Sequence, residues 1–164
     1  MGHHDAGHVR LLGEKYLQPR ARKGEDRQSF LAKKSAILAL SGKFEVMMSQ
    51  FDLAYLQNIL DTMGLVETYL EQTSEEEYYK DPLLQDGIIR LLDFIGETAH
   101  HISSDLKEEH PEFPWQELLD LNHRMSTSTA GVDKEAAWIT ARDRIPALKE
   151  DIRSMAEDLN QEQN

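Results

Sequence analysis

Cysteine is absent from this chain of 164 residues. Disulfide frameworks and thiolate zinc sites are therefore excluded. Long apolar runs are also missing, since none approaches the roughly 20 residues that a membrane-spanning helix requires. Residues 1–18 lack the uninterrupted apolar core of a secretory signal. Together these absences predict a cytoplasmic protein that does not interact with membranes.

Positive charge is scarce over most of the chain, and the net charge is −12. The first 44 residues carry nine lysines and arginines against four acidic residues, a net charge of +5, so residues 45–164 carry −17. Such an acidic surface argues against non-specific binding of nucleic acid by the whole molecule. It leaves room for a local basic cleft.

The basic N-terminal segment differs from the rest of the chain. Residues 1–47 begin with Met-Gly-His-His and are predicted to be a tag or cloning sequence, or a poorly ordered basic arm for nucleic acid. Apolar residues between Leu31 and Val46 still allow a helix there. Residues 48–160 are predicted to form one helical domain, followed by a frayed tail at 161–164.

The apolar spacing of residues 48–160 predicts an all-α fold of four helices. The first helix is expected from about Asp52 to Gln72, where apolar residues recur every three or four positions. A charged, solvated break is expected at 73–77. Asp81 and Pro82 then combine a cap and a first-turn proline, a helix start.

Two further helices follow a loop that ends at Pro114. The third carries Leu118, Leu121 and Met125 on one face. The fourth starts at the cap residue Asp133, and Pro146 is expected to kink it. Its apolar residues form a heptad-like seam, able to pack within the bundle or across a dimer: Trp138, Ala141, Ile145, Leu148, Ile152, Met155 and Leu159.

The third helix ends in polar residues instead of continuing its apolar stripe. The cluster consists of Asn122, His123, Arg124, Ser126, Thr127 and Thr129, with Arg142 and Arg144 expected nearby on the fourth helix. This pattern predicts either a functional site or a solvent-facing helix end. No phosphate loop, serine-hydrolase elbow or zinc-protease motif accompanies it. His100 and His101 are adjacent and point about 100° apart on a helix, which argues against a metal site.

Several segments in order resemble the HepT-like branch of the HEPN superfamily. They are Asp81–Ile88, Arg90, Ile95–Glu97, His110–Trp115, Gly131–Asp133, Trp138 and Ile145–Leu148, within a resemblance that covers Phe51 to Leu159. The resemblance implies a HEPN-like four- to five-helix up-and-down bundle that forms a homodimer. It also implies an endoribonuclease toxin that acts without metal or cofactor. Its partner would be an MntA-like nucleotidyltransferase antitoxin, and its substrate would be RNA.

The family motif has an arginine that holds the phosphate, then a polar residue, a histidine for acid–base chemistry and a tyrosine that receives AMP. With Gly131–Asp133 fixing the register, these four positions are Asn122, His123, Thr127 and Thr129. Only His123 fits. Threonine does not exchange protons near pH 7 as imidazole does, and loss of a general base costs about 10²–10⁴-fold. Arg124, Arg142 and Arg144 remain as candidate contacts to RNA phosphate.

The departures predict a toxin that is catalytically disabled or severely impaired. Two origins stay open: a variant disabled so that it can be expressed, or a natural degenerate paralogue. An alternative function is a non-catalytic helical subunit that binds a nucleotidyltransferase. A further alternative is a structural helical protein whose polar patch faces solvent.

Overall fold

The computed structural model describes Gly24, residues 26–126 and residues 133–162, except for the side chains of residues 122–126. All regular elements in these ranges are helical. They are α1 (Arg27–Glu71), α2 (Glu75–Lys80), α3 (Pro82–His100), α4 (Ser104–Glu109), α5 (Trp115–Ser126), α6 (Lys134–Ile139), a π-helical turn (Thr140–Arg144) and α7 (Ile145–Glu162). None of the described helices is long and apolar enough to cross a membrane. The all-α prediction is confirmed.

The chain divides into two compact units, Met1–Ser49 and Gln50–Asn164. Helix α1 begins at Arg27, well before the expected start near Asp52. It therefore includes the stretch from Leu31 to Val46 for which the apolar residues allowed a helix. Within the first unit its large apolar side chains are exposed, among them Leu31, Leu38, Leu40, Phe44, Val46 and Met47.

The second unit is organised around one apolar core. From α1 this core takes a stripe spaced by three and four residues, namely Leu53, Leu56, Ile59, Met63 and Val66. Helix α3 adds Ile88, Leu92, Ile95 and Ala99, and α5 adds Leu118 and Leu121. Every residue of the predicted seam from Trp138 to Leu159 is buried in the same core. That seam therefore packs inside the bundle.

Two predicted helix starts are confirmed by their cap geometry. The Asp81 side chain accepts hydrogen bonds from the backbone N–H groups of Leu83 and Leu84, with Pro82 in the first turn. The Asp133 side chain accepts from the N–H of Ala136 at 3.0 Å. Both carboxylates satisfy N–H groups that a helix leaves without internal partners.

The break expected at 73–77 is confined to residues 73–74, because α2 begins at Glu75, although Glu75–Glu77 are exposed as expected. The Ser74 hydroxyl accepts from the Glu77 N–H at 3.2 Å, while the Glu77 carboxylate accepts from the Ser74 N–H at 2.8 Å. This reciprocal pair is a capping box, whose sequence signature is Ser-x-x-Glu. Tyr78 is fully buried, so tertiary packing stabilises a helix that is too short to persist alone.

Pro146 changes the helix before it. A π-helical turn precedes it, in which the Ile145 N–H donates to the Thr140 carbonyl five residues earlier. A proline has no N–H for the carbonyl four residues back, and its ring crowds that carbonyl. The wider turn accommodates this crowding and sets the positions of Arg142 and Arg144.

Helix α3 contains two glycines, Gly87 and Gly96. At Gly87 no other described part of the chain approaches closely, since an added Cβ would meet nothing within 4 Å beyond the helix's own nearby backbone. Gly96 is buried in the core-facing side of α3.

Candidate functional site

The helix that carries the polar cluster is α5. Trp115, in its first turn, donates its indole N–H to the His110 carbonyl at 2.9 Å. Leu118 and Leu121 are buried on the core side. The backbone of residues 122–124 therefore continues a helix that the core fixes in place.

The polar cluster itself lies at the edge of the described structure. Asn122, His123 and Arg124 belong to the last turns of α5. Their side chains lie outside the part of the chain that the structure describes. Thr127 and Thr129 lie outside the described residues altogether. The roles of all five stay predictions.

The chain is anchored again where the description resumes. The Tyr78 hydroxyl donates to the Lys134 carbonyl at 2.9 Å, directly after the Asp133 cap. The Tyr78 ring lies 4.8 Å from the Trp138 ring, centroid to centroid. Burial raises the pKa of Tyr78 to about 12, so the phenol stays a hydrogen-bond donor at neutral pH. The segments on both sides of residues 127–132 are therefore held in place by contacts with the core.

Arg144 faces α5. Its guanidinium donates two hydrogen bonds to the carboxylate of Glu117, Nε to Oε1 at 2.5 Å and Nη2 to Oε2 at 2.7 Å. These bonds and the charge of Glu117 raise the pKa of Arg144. A fork of this kind is the geometry with which arginine also binds phosphate. A phosphate that binds Arg144 would therefore have to displace Glu117 or share the guanidinium with it.

Arg142 also lies beside carboxylates, those of Asp143 and Glu75. It donates to both carboxylate oxygens of its neighbour Asp143, at 2.8 and 2.9 Å, and lies 3.9 Å from the carboxylate of Glu75. The hydrogen bonds to Asp143 raise the pKa of Arg142 and lower that of Asp143. Desolvation and nearby carboxylates, Glu135 first among them, raise the pKa of Tyr79 next to this group.

The π-helical turn brings the two arginines onto one segment but turns them toward different helices. Arg144 reaches α5, and Arg142 reaches Glu75 of α2. Each of the two arginines predicted to contact phosphate thus already has a carboxylate partner. In the part of the chain that is described, no group of three or more histidines and acidic residues is placed to hold a metal ion.

Sequence reasoning missed the acidic partners. Glu117 and Arg144 are 27 residues apart, and no periodicity links them. Asp143 stands beside Arg142 in the sequence, so that pair was visible as a neighbouring opposite charge. Tyr78 directly follows the predicted solvated segment, and its hydrogen bond to Lys134 depends on helix α2, which was missed.

Comparison with known proteins gives a consistent result. The family model described as ribonuclease HepT-like matches residues 59–155. A probable ribonuclease HepT of Thermococcus cleftensis is 34% identical over 95 residues, which cover 58% of this chain and 86% of that protein. A putative RNase of Caldanaerobacter subterraneus is 27% identical over 101 residues, 62% of this chain and 90% of that protein.

One relative is about twice as long as the segment that matches this chain. A gamma-glutamylcyclotransferase and putative RNase of Methanocaldococcus jannaschii is 30% identical over 110 residues, 67% of this chain. This match spans half the length of that protein. No solved structure matches the chain.

Proposed function

Because the chain belongs to the HepT-like ribonuclease family, we propose that it is the toxin of a HepT/MntA-type toxin–antitoxin pair with a disabled RNA-cleaving centre. In such a pair the toxin is a metal-independent endoribonuclease, and an MntA-like nucleotidyltransferase is the antitoxin. The catalytic cleft would form between two protomers, with RNA as the substrate.

One observation carries the proposal of a disabled centre. The motif positions for arginine, histidine and tyrosine are Asn122, Thr127 and Thr129. Asparagine lacks the charged fork that clamps a phosphate. Threonine cannot act as a general base near neutral pH, and that loss alone costs about 10²–10⁴-fold in rate. His123, at the polar position, is the one member that remains.

The scaffold around these positions supports the same reading. Leu118 and Leu121 seat α5 in the core, and the Asp133 cap with buried Trp138 seats the chain beyond the motif. Substitutions that had accumulated without constraint would be expected to erode these core residues as well. The change is confined to the groups that would do chemistry.

Restoration of the motif tests the proposal. The triple variant Asn122→Arg, Thr127→His, Thr129→Tyr should cleave RNA and arrest growth when it is expressed without an antitoxin. Asn122→Arg with Thr129→Tyr is the matched control, because it lacks the histidine and should stay harmless. A triple variant that is folded yet as inactive as the parent chain would overturn the proposal.

The same replacement removes the acceptor for AMP. Thr129 carries a hydroxyl but no phenol, so we expect a family nucleotidyltransferase to transfer AMP to it poorly or not at all. Mass spectrometry of the parent chain and of Thr129→Tyr after incubation with ATP and such an enzyme measures the adduct. Efficient AMP transfer to Thr129 itself would contradict this expectation.

A second candidate is a non-catalytic helical subunit that binds a nucleotidyltransferase. It is favoured by the engagement of Arg142 and Arg144 with carboxylates, which leaves them poorly suited to hold RNA. For this function the chain should bind the nucleotidyltransferase while the restored triple variant remains without nuclease activity. The two candidates therefore differ in one measurement, RNA cleavage by the triple variant.

A further inference from the structure

The helical segment before the matched domain takes no part in the proposed function. The family match begins at residue 59, whereas α1 begins at Arg27. In the first unit the described part of α1 places many large apolar side chains in solvent. A helix with so much exposed apolar surface normally has a partner.

The apolar residues of this segment follow a regular order. They recur at alternating steps of three and four, as Phe30, Ile37, Leu40, Phe44, Met47 and Phe51, with Lys33 as the one polar residue in the series. This is the a/d spacing of a coiled coil, and it is sustained for about three heptads. We call this series the N-terminal seam.

The N-terminal seam is exposed from Leu40 to Phe51, whereas Phe30 and Ile37 are half-buried. Leu40 is 66% exposed, Phe44 58% and Met47 44%. The seam from Trp138 to Leu159 has the same spacing, and all its residues are buried inside their own unit. Over the described residues the two seams therefore differ in burial: the C-terminal seam is buried in its own unit, whereas the N-terminal seam is exposed from Leu40 to Phe51.

We propose that the N-terminal seam packs against the same seam of a second copy of this chain. Knobs-into-holes packing requires a partner helix with matching spacing, which a second copy always supplies. Each flank of the seam carries one lysine, Lys34 on one side and Lys43 on the other. No continuous row of like charge therefore opposes pairing. Lys33 lies near the end of the seam, where its long stem lets the ammonium group reach solvent.

This contact would be separate from a dimer formed by the helical domain. The domain dimer belongs to the proposed function and would involve the segment around Asn122 and Thr127. The seam dimer uses α1 before residue 52. A chain with the seam alone would form dimers. With both contacts, it would form a tighter dimer if they join the same two copies, and tetramers or longer assemblies if they join different copies.

Sedimentation equilibrium of the full chain tests the proposal. The variant Leu40→Glu, Phe44→Glu places two charges in the seam and should halve the average mass relative to the parent at the same concentration. Leu38→Glu is the matched control, because Leu38 is 62% exposed on the same helix but lies off the seam. Its mass should equal that of the parent.

The ratio of masses separates this proposal from the proposed function. A fall from tetramer to dimer and a fall from dimer to monomer both support the seam, whether or not the domain dimerises. Equal masses for the parent, the seam variant and the Leu38→Glu control throughout a dilution series that reaches the monomer would overturn it.

A second pair of substitutions protects the test against loss of the helix. Leu40→Ala with Phe44→Ala keeps high helix propensity and should weaken association at least tenfold, with unchanged helical circular dichroism. Unchanged association of that variant would also overturn the proposal. The proposal would also be overturned if the parent chain bound anionic vesicles or another protein but showed no self-association that depends on the seam.

Discussion

Asp52 joins α1 to the start of α4. Its side chain is buried, at 4% exposure, and accepts hydrogen bonds from the Ser103 N–H at 2.8 Å and the Ser103 hydroxyl at 2.5 Å. The Ser103 hydroxyl in turn accepts from the Leu106 N–H at 3.2 Å and caps α4. One carboxylate therefore fixes a cap that is 51 residues away in sequence.

Removal of this carboxylate should destabilise the fold. In Asp52→Ala two donors of Ser103 lose their acceptor in a poorly solvated place, so the free energy of unfolding should fall by about 1–3 kcal/mol. Urea denaturation measures the change. Asp61→Ala, at an exposed aspartate on the same helix, is the control and should change stability by less than about 0.5 kcal/mol. Equal effects at both sites would show that the Ser103 contact adds nothing.

Tyr78 gives the fold a dependence on alkaline pH. Burial raises its pKa from 10.0 to about 12. At pH 11 the folded chain keeps this proton, while an unfolded tyrosine has mostly lost it. The unfolded state then binds fewer protons, so stability falls as the pH rises from 10 toward 12.

Substitution of Tyr78 should remove this part of the dependence. Between pH 9 and pH 11 the free energy of unfolding of the parent should fall more than that of Tyr78→Phe, by up to about 1.4 kcal/mol per pH unit. Tyr69→Phe, at an exposed tyrosine, should behave as the parent does. Parallel pH profiles for all three proteins would contradict the assignment to Tyr78.

At the scale of elements, α2 depends on its cap and on its one buried residue. Six residues are too few for an independent helix, yet α2 positions Tyr78 against Lys134 and Trp138. The Ser74 capping box satisfies N–H groups at its first turn. Loss of the cap should therefore be felt beyond α2, in the segment that follows the motif.

The substitution Ser74→Ala tests this coupling. It should lower the free energy of unfolding by about 1 kcal/mol, the typical cost of losing a serine cap. Hydrogen exchange should also speed up at the backbone N–H of Ala136, next to the Asp133 cap. Ser104→Ala, at an exposed residue just inside α4, is the matched control. Faster exchange confined to α2 would contradict the coupling.

At the scale of the molecule, the excess of negative charge opposes non-specific binding of RNA. The unit Met1–Ser49 carries nine basic and five acidic residues, a net +4, which leaves −16 for the unit Gln50–Asn164. In that second unit Arg142 and Arg144 are already bound to carboxylates. RNA held there would have to compete with Asp143 and Glu117.

Glu117→Gln should release Arg144 for RNA. The logarithm of the binding constant for single-stranded RNA falls with the logarithm of salt concentration by about 0.7 for each phosphate neutralised. The slope for Glu117→Gln should therefore steepen by about that amount. Glu150→Gln is the matched control for charge. It removes the carboxylate that lies 2.6 Å from the guanidinium of Arg153 on α7. Equal slopes for the parent and Glu117→Gln would exclude Arg144 as an RNA contact.

The sequence alone determined the helical class, the caps at Asp81 and Asp133 and the apolar seam from Trp138 to Leu159. Each depends on residues a few positions apart, because caps and helical stripes are local. The proposed departures at Asn122, Thr127 and Thr129 depend instead on the resemblance to the family motif. The tertiary structure decided the contacts Glu117–Arg144, Asp52–Ser103 and Tyr78–Lys134, which span 27, 51 and 56 residues. Helical periodicity carries no information about such distant side-chain partners, since the packing of separate helices chooses them.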